Sequence, residues 1–127
     1  MSIESTRRVL DSYLRGHSLD AVAPDAVFTV MATGQEAKGR VAIAQLLDYF
    51  YHQAFNATAE ERNLIIGEGH AALEADFTGQ HIGEFAGIAA SGKVVHVPLC
   101  VAYDIQGDQI TRARIYFETD TFRQQVS

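Results

Sequence analysis

A chain of 127 residues fits one domain, spanning 1–127, and has interior enough for a core and a pocket together. Its 47% hydrophobic and 20% charged residues are those of a globular protein, which excludes disordered and fibrous classes. Ten Lys and Arg against sixteen Asp and Glu give a net charge of −6, with the basic residues scattered, so a nucleic-acid partner is not expected.

The opening "MSIESTRRVLDSYLRG" carries Ile3, Val9, Leu10, Tyr13 and Leu14 at helical spacing, with Ser2 as cap and Gly16 as stop. No long apolar block follows its two arginines, which argues against a secretory signal and for a cytoplasmic protein. "SLDAVA" predicts one short helical turn ending before Pro24, and "AVFTVMA" predicts a strand. Val41 to Phe55 places Ile43, Leu47, Phe50 and Ala54 on one stripe, the clearest amphipathic helix of the chain.

From Arg62 onward the pattern turns to strands: "RNLIIGE", "AALEADFT", "KVVHVPLCVAYDI" and "QITRARIYFE". Glycines in "EGH" and "QGD" suit hairpin turns, and "DTFRQQV" predicts a short closing helix or a tail. The lone cysteine, Cys100, cannot form an internal disulfide and reads as a core thiol in a reducing compartment. Helices first and strands afterwards define an α+β class: N-terminal helices packed on a strongly curved antiparallel sheet, a cone-shaped barrel with an internal pocket. No stretch approaches the ~20 apolar residues of a membrane-spanning helix, so no membrane partner is expected.

Three stretches carry a family likeness: "GQEAKGRVAI" (34–43), "TGQHIGEFAGIAASGKVV" (78–95) and "YDIQGDQITRARIYFE" (103–118). The second holds a Gly-x-His-x-Gly-x-Phe-x-Gly core, a small-residue turn and Gly-Lys. With them the chain resembles the nuclear-transport-factor-2-like superfamily, and within it the SnoaL-like polyketide-cyclase and ester-cyclase branch. The resemblance implies a pocket between the concave face of the sheet and the helices, a small apolar or amphipathic organic ligand, and a homodimer formed through the sheet. It does not imply one reaction, because the fold hosts cyclases, isomerases, epoxide hydrolases, dehydratases and non-catalytic binders.

Proton abstraction beside a carbonyl or ring closure needs a general base, and a carboxylate or imidazole in an apolar pocket meets that need. His81, in the glycine-rich stretch, is the first candidate, with Asp104 and Glu118 as acid partners; His81 as a structural anchor is weighed equally. Glu74 and Asp76 alternate with Ala75 and Phe77 and are expected on a solvated face. Relatives of this branch often carry a Trp-Asp pair in the last strand and an acid three residues later. Here Arg114, Ile115 and Glu118 stand at those positions, so Ile115 takes the place of the inward acid.

Tyr13, Phe28, Met31, Tyr49 and Phe50 are expected to line the pocket, together with Phe55, Phe77, Phe85 and Tyr116. His96 and Ile115 complete that expected wall. The five histidines show no metal-ligand spacing, and "GEG" lacks a nucleotide fingerprint, so no metal and no cofactor are expected. The leading expectation is a cofactor-free cyclase- or isomerase-like acid/base enzyme. A non-catalytic ligand-binding or scaffold dimer is the first alternative and an epoxide-hydrolase-like enzyme the second.

Overall fold

The computed structural model describes residues 2–127. Helix α1 (Ile3–Leu14) opens with a capping box in which Ser2 and Ser5 each accept the other's backbone N–H at 3.0 Å. Thr6, Val9, Leu10 and Tyr13 form its buried stripe. Gly16 ends it at φ 89°, and His17 follows in the same left-handed region at φ 59°, which costs a non-glycine residue about 1–2 kcal/mol.

A 3₁₀ turn (Leu19–Ala21) leads into β1 (Val22–Val30), a strand that begins before Pro24. Proline has no N–H to give to the ladder, and the pairing of β1 breaks there, between Val22 and Val27. A short edge strand, β2 (Gln35–Lys38), folds back on β1, a strand that the sequence pattern did not predict. The helix expected over 41–55 is divided into α2 (Gly39–Asp48) and a π turn (Tyr49–Gln53). The π turn is closed by the Ala54 N–H donating to the Tyr49 carbonyl at 2.7 Å, and Phe55 already begins the next strand.

Strands β3 (Phe55–Ile66), β4 (His70–His81), β5 (Val94–Gln106) and β6 (Gln109–Phe117) follow, and α3 (Thr119–Val126) closes the chain. The sheet order is β2-β1-β6-β5-β4-β3. Every pair is antiparallel except β1 with β6, which is parallel, so the sheet is mixed where a wholly antiparallel one was expected. β2 and β3 remain free edges: the sheet is a strongly curled cone and does not close into a barrel.

Alternation sorts the strands cleanly into an inner and an outer face. Leu73, Ala75 and Phe77 of β4, Val97, Leu99, Val101 and Tyr103 of β5, and Ile115 and Phe117 of β6 point inward and are buried. A bulge between Asp104 and Ile105 turns both Ile110 and Ala113 inward, although strict alternation would put residues three apart on opposite faces. Glu74 and Asp76 face outward, where Asn63 donates to Glu74 and Arg62 pairs with Asp76.

Gly79 pairs with Ala57 across β3 and β4, and a Cβ there would collide with the backbone of Asn56 and Ala57. Gly83 is held equally tightly against the Gln53 carbonyl at the end of the π turn. These glycines therefore serve close approach within the chain's own backbone. Gln125 of α3 clamps the His96 backbone from both sides, accepting its N–H at 2.7 Å and donating to its carbonyl at 2.8 Å, which seats α3 against β5. Among the described residues no helix is long and apolar enough to cross a membrane.

Candidate active site

His81 ends β4 and is fully buried. Its Nδ1 accepts the Ser91 backbone N–H at 3.2 Å and lies 2.9 Å from the Ser91 hydroxyl. A ring nitrogen that accepts an amide proton is unprotonated, so the neutral imidazole carries its hydrogen on Nε2. That Nε2 is the one sealed side-chain nitrogen or oxygen without a partner among the described residues. The ring is packed between Phe55, centroid distance 5.4 Å, and the perpendicular ring of Phe122 at 5.0 Å. Backbone bonds from His81 to Lys93 and from Gly92 to His81, both 2.8 Å, tie the two ends of the 82–92 loop together. His81 borders none of the cavities described below.

The two acids proposed as its partners lie elsewhere. Asp104 is on the outer face, held by two bonds from Arg114 at 3.0 and 3.2 Å and by His70 at 3.2 Å. The Arg114 bonds are the main reason its carboxyl is held below the usual carboxylate range. Glu118 follows the last residue of β6 and lies at the rim of an outer cavity. The three residues therefore do not converge. Asp104→Asn is expected to cost under about 1 kcal/mol of stability, as for other solvent-exposed ion pairs. It is expected to leave ligand binding unchanged, which urea unfolding and a binding titration check.

What does converge lies between the concave face of the sheet, the end of α1 and the π turn. A cavity of about 590 Å³ has an apolar floor that includes Leu73, Phe77, Leu99, Val101, Ile115 and Phe117. Tyr13, Tyr51, Tyr103 and His17 supply polar groups to its wall, and His52, Asp48 and Glu61 its margin. Ile115 occupies the inward position on β6, so that strand offers the cavity no carboxylate.

Tyr13 and Tyr103 meet with ring centroids 5.9 Å apart, and His17 packs against Tyr13 at 5.3 Å and Tyr51 at 5.1 Å. Among the described residues no protein group bonds the three hydroxyls, and none is sealed as Nε2 of His81 is, so they open onto the cavity. Burial, then the neighbouring Tyr103 and Tyr51 phenols, raises Tyr13 well above the ordinary tyrosine value. Burial pushes Tyr51 up to about 12 and moves Tyr103 in the same direction. All three remain hydrogen-bond donors at neutral pH. Burial, followed by the proximity of His52, lowers His17 below the ordinary imidazole value and keeps it neutral.

Of the expected wall, Tyr13, Phe28, Phe50, Phe77 and Ile115 border this cavity. Tyr49 and Phe85 border the outer cavity instead, and Phe55 is sealed in the core. His96 and Tyr116 take outward positions in β5 and β6, while Met31 lies exposed in the turn after β1. Those three are corrected on simple grounds: alternation or strand termination carries each side chain away from the concave face. His17, Tyr51 and Tyr103 were not anticipated. No helical spacing announces His17: α1 ends at Leu14, and the left-handed pair Gly16 and His17 turns the imidazole back against Tyr13.

The outer cavity, about 1000 Å³, opens between the β1–β2 hairpin, α2 and the start of α3. Its aromatic wall comprises Tyr49, Phe50, Phe85 and Phe117, with Glu36, Glu118, Asp120 and Arg123 also bordering it. Phe85 is presented by a two-residue turn in which Ala86 (φ 52°) and Gly87 (φ 79°) reverse the chain between the paired residues Phe85 and Ile88.

The family model of SnoaL-like polyketide cyclase matches residues 9–126. Among solved structures, a protein from Jannaschia described as a SnoaL-like polyketide cyclase superposes with a TM-score of 0.84 at 15% identity, covering 98% of this chain and 92% of that one. A protein from Xanthomonas campestris described as a polyketide cyclase gives 0.80 at 20% identity, covering 98% of each chain. A protein from Catenulispora acidiphila described as having a ketosteroid isomerase-like fold, in complex with trimethylamine, gives 0.76 at 17%, covering 95% of this chain and 93% of that one. No curated protein matches the sequence.

Proposed function

Since the chain belongs to the SnoaL-like polyketide cyclase family, we propose that it binds a small, largely apolar ketone or phenol in the tyrosine-lined cavity and transfers protons there without a cofactor. The observation that carries this is the convergence of three tyrosine hydroxyls and the His17 imidazole on an apolar chamber. The hydroxyls donate to a ligand carbonyl oxygen, and His17 accepts a proton from the adjacent carbon. As that C–H bond breaks, its electron pair passes to the oxygen, giving an enolate that the tyrosines stabilise by hydrogen bonds. Return of the proton to another carbon is an isomerisation; attack of the enolate carbon on a second carbonyl is a ring closure. Neither needs an oxidant or a reductant.

Exchange of deuterium from the α-carbon of a bound cyclic ketone into water, followed by NMR, tests the proton transfer without knowledge of the natural substrate. Exchange above the buffer rate that disappears in His17→Gln is the expected result. Ligand-induced thermal stabilisation without exchange would instead favour the non-catalytic binder, which the apolar Ile115 at the inward position supports. An epoxide-hydrolase reading finds no support in the cavity, because the Asp104–Arg114 pair lies on the opposite face of the sheet.

We propose that the chain forms a homodimer through the same outer face. Ile65, Val94 and Tyr116 are large apolar side chains exposed there, flanked by Pro98, Cys100 and Ala102. Sedimentation equilibrium of the purified chain, alone and as Tyr116→Lys, checks this: the wild type is expected as a dimer and the variant as a monomer.

A further inference from the structure

Phe50 and Phe117 border both cavities, so two benzyl rings stand between the tyrosine-lined chamber and the larger outer one. Their centroids are 5.5 Å apart with planes inclined by 67°, an edge-to-face contact that makes the two rings a shared wall. Phe50 reaches to both sides of this partition. It touches Phe77 on the inner floor at 6.0 Å and Phe85 of the outer loop at 5.3 Å. Its position follows from the π turn, which sends Tyr49 to the outer cavity and Tyr51 and His52 to the inner one, with Phe50 between them bordering both. Phe117, by contrast, is fixed on a central sheet strand and also packs on Phe55, so Phe50 is the side of the partition that a substitution can move.

We infer that Phe50 is a specificity-determining residue that sets ligand length: it gives the tyrosine chamber a closed end and restricts the protein to compact ketones or phenols. This rests on the tyrosine chamber being the ligand site. Truncation at Phe50 joins the chamber to the outer cavity, and a linear tail then extends past the partition towards Leu46 and Ala42, whose side chains border the outer space.

The test is a calorimetric titration of wild-type protein, Phe50→Leu and Phe50→Ala with para-alkylphenols from methyl to octyl. Wild-type affinity is expected to rise with the first methylenes and then to collapse at a definite chain length. Beyond that length Phe50→Ala is expected to continue gaining, by roughly fourfold per methylene housed in the joined space. Phe50→Leu, the milder change should the alanine variant fold poorly, is expected to shift the cut-off by fewer carbons. Adding Ala42→Phe, which puts bulk into the outer cavity in the path of the tail and at a position that does not border the chamber, is expected to move the cut-off back towards the shorter one; a purely structural effect of Phe50 would not be reversed in this way. An unchanged cut-off in both Phe50 variants overturns the inference while leaving the tyrosine chamber standing. Failure of every phenol to bind the wild type overturns the chamber as ligand site and the inference with it.

Discussion

His81→Ala is expected to lose about 3 kcal/mol of unfolding free energy, because it leaves a void between Phe55 and Phe122 and strips a buried amide of its acceptor. The amide is that of Ser91, which donates to Nδ1 at 3.2 Å, and the void forms where the imidazole is fully buried. His81→Gln, which keeps an acceptor of similar reach, is expected to lose roughly half as much. Urea unfolding measures both. In the fraction that remains folded, phenol affinity and ketone exchange are expected to match the wild type, since His81 borders neither cavity. Stability within about 0.5 kcal/mol of wild type together with abolished exchange would return His81 to the catalytic role.

The fate of His81 shows what a sequence pattern conveys. Its glycine-rich surroundings were legible as a signature, because collisions at Gly79 and Gly83 exclude every larger residue. Whether the histidine served chemistry or architecture depended on Ser91, ten residues away across a loop, and on two aromatic rings from β3 and α3. Such contacts are made by tertiary packing and leave no local period. β4, β5, β6 and the second half of β3 were readable for the opposite reason: alternation is local, and it placed Glu74 and Asp76 outward, while the inward place of Ile115 came from the family resemblance.

Elements fixed by distant partners were less accessible. β1 pairs with β6, some ninety residues later, and the four-residue β2 is too short to show a period of its own. The π turn inserts one residue into what reads as a continuous helical stripe, and so divides Tyr49 from Tyr51 and His52, with Phe50 reaching both sides. Tyr103 sat beside Asp104 in the sequence, and attention to acids favoured the wrong neighbour: the register of β5 turns the tyrosine to the chamber and the aspartate to solvent. A search for buried carboxylates overlooks a site built from phenols, whose polar tip and apolar ring make them ordinary core residues by composition.

The largest functional effect is expected at His17. Replacement by Gln removes the proposed base while keeping a polar side chain of comparable length, and a drop of about 10²–10⁴ in the α-proton exchange rate is expected. Tyr13→Phe, which removes one donor and keeps the ring, is expected to weaken ketone and phenol binding by about three- to tenfold. The pH dependence separates a base from a bystander. Because the folded-state pKa of His17 lies below its ordinary value of 6.5, neutral imidazole persists into more acid solution, and the acid limb of exchange is expected below pH 6.5. Stability carries the same signature: just below pH 6.5 the unfolded chain binds a proton that the folded chain refuses, so stability falls with decreasing pH in that window. His17→Gln is expected to flatten that slope while raising stability on its acid side. The tyrosines act at the other end, because their raised pKa values make the folded state hold protons that the unfolded chain releases above its ordinary value of 10.0. Stability from Tyr13 and Tyr51 is therefore complete below pH 10 and lost as pH rises beyond it. Exchange that retained its wild-type rate and acid limb in His17→Gln would remove His17 from the mechanism and leave the tyrosine chamber as a binding site alone.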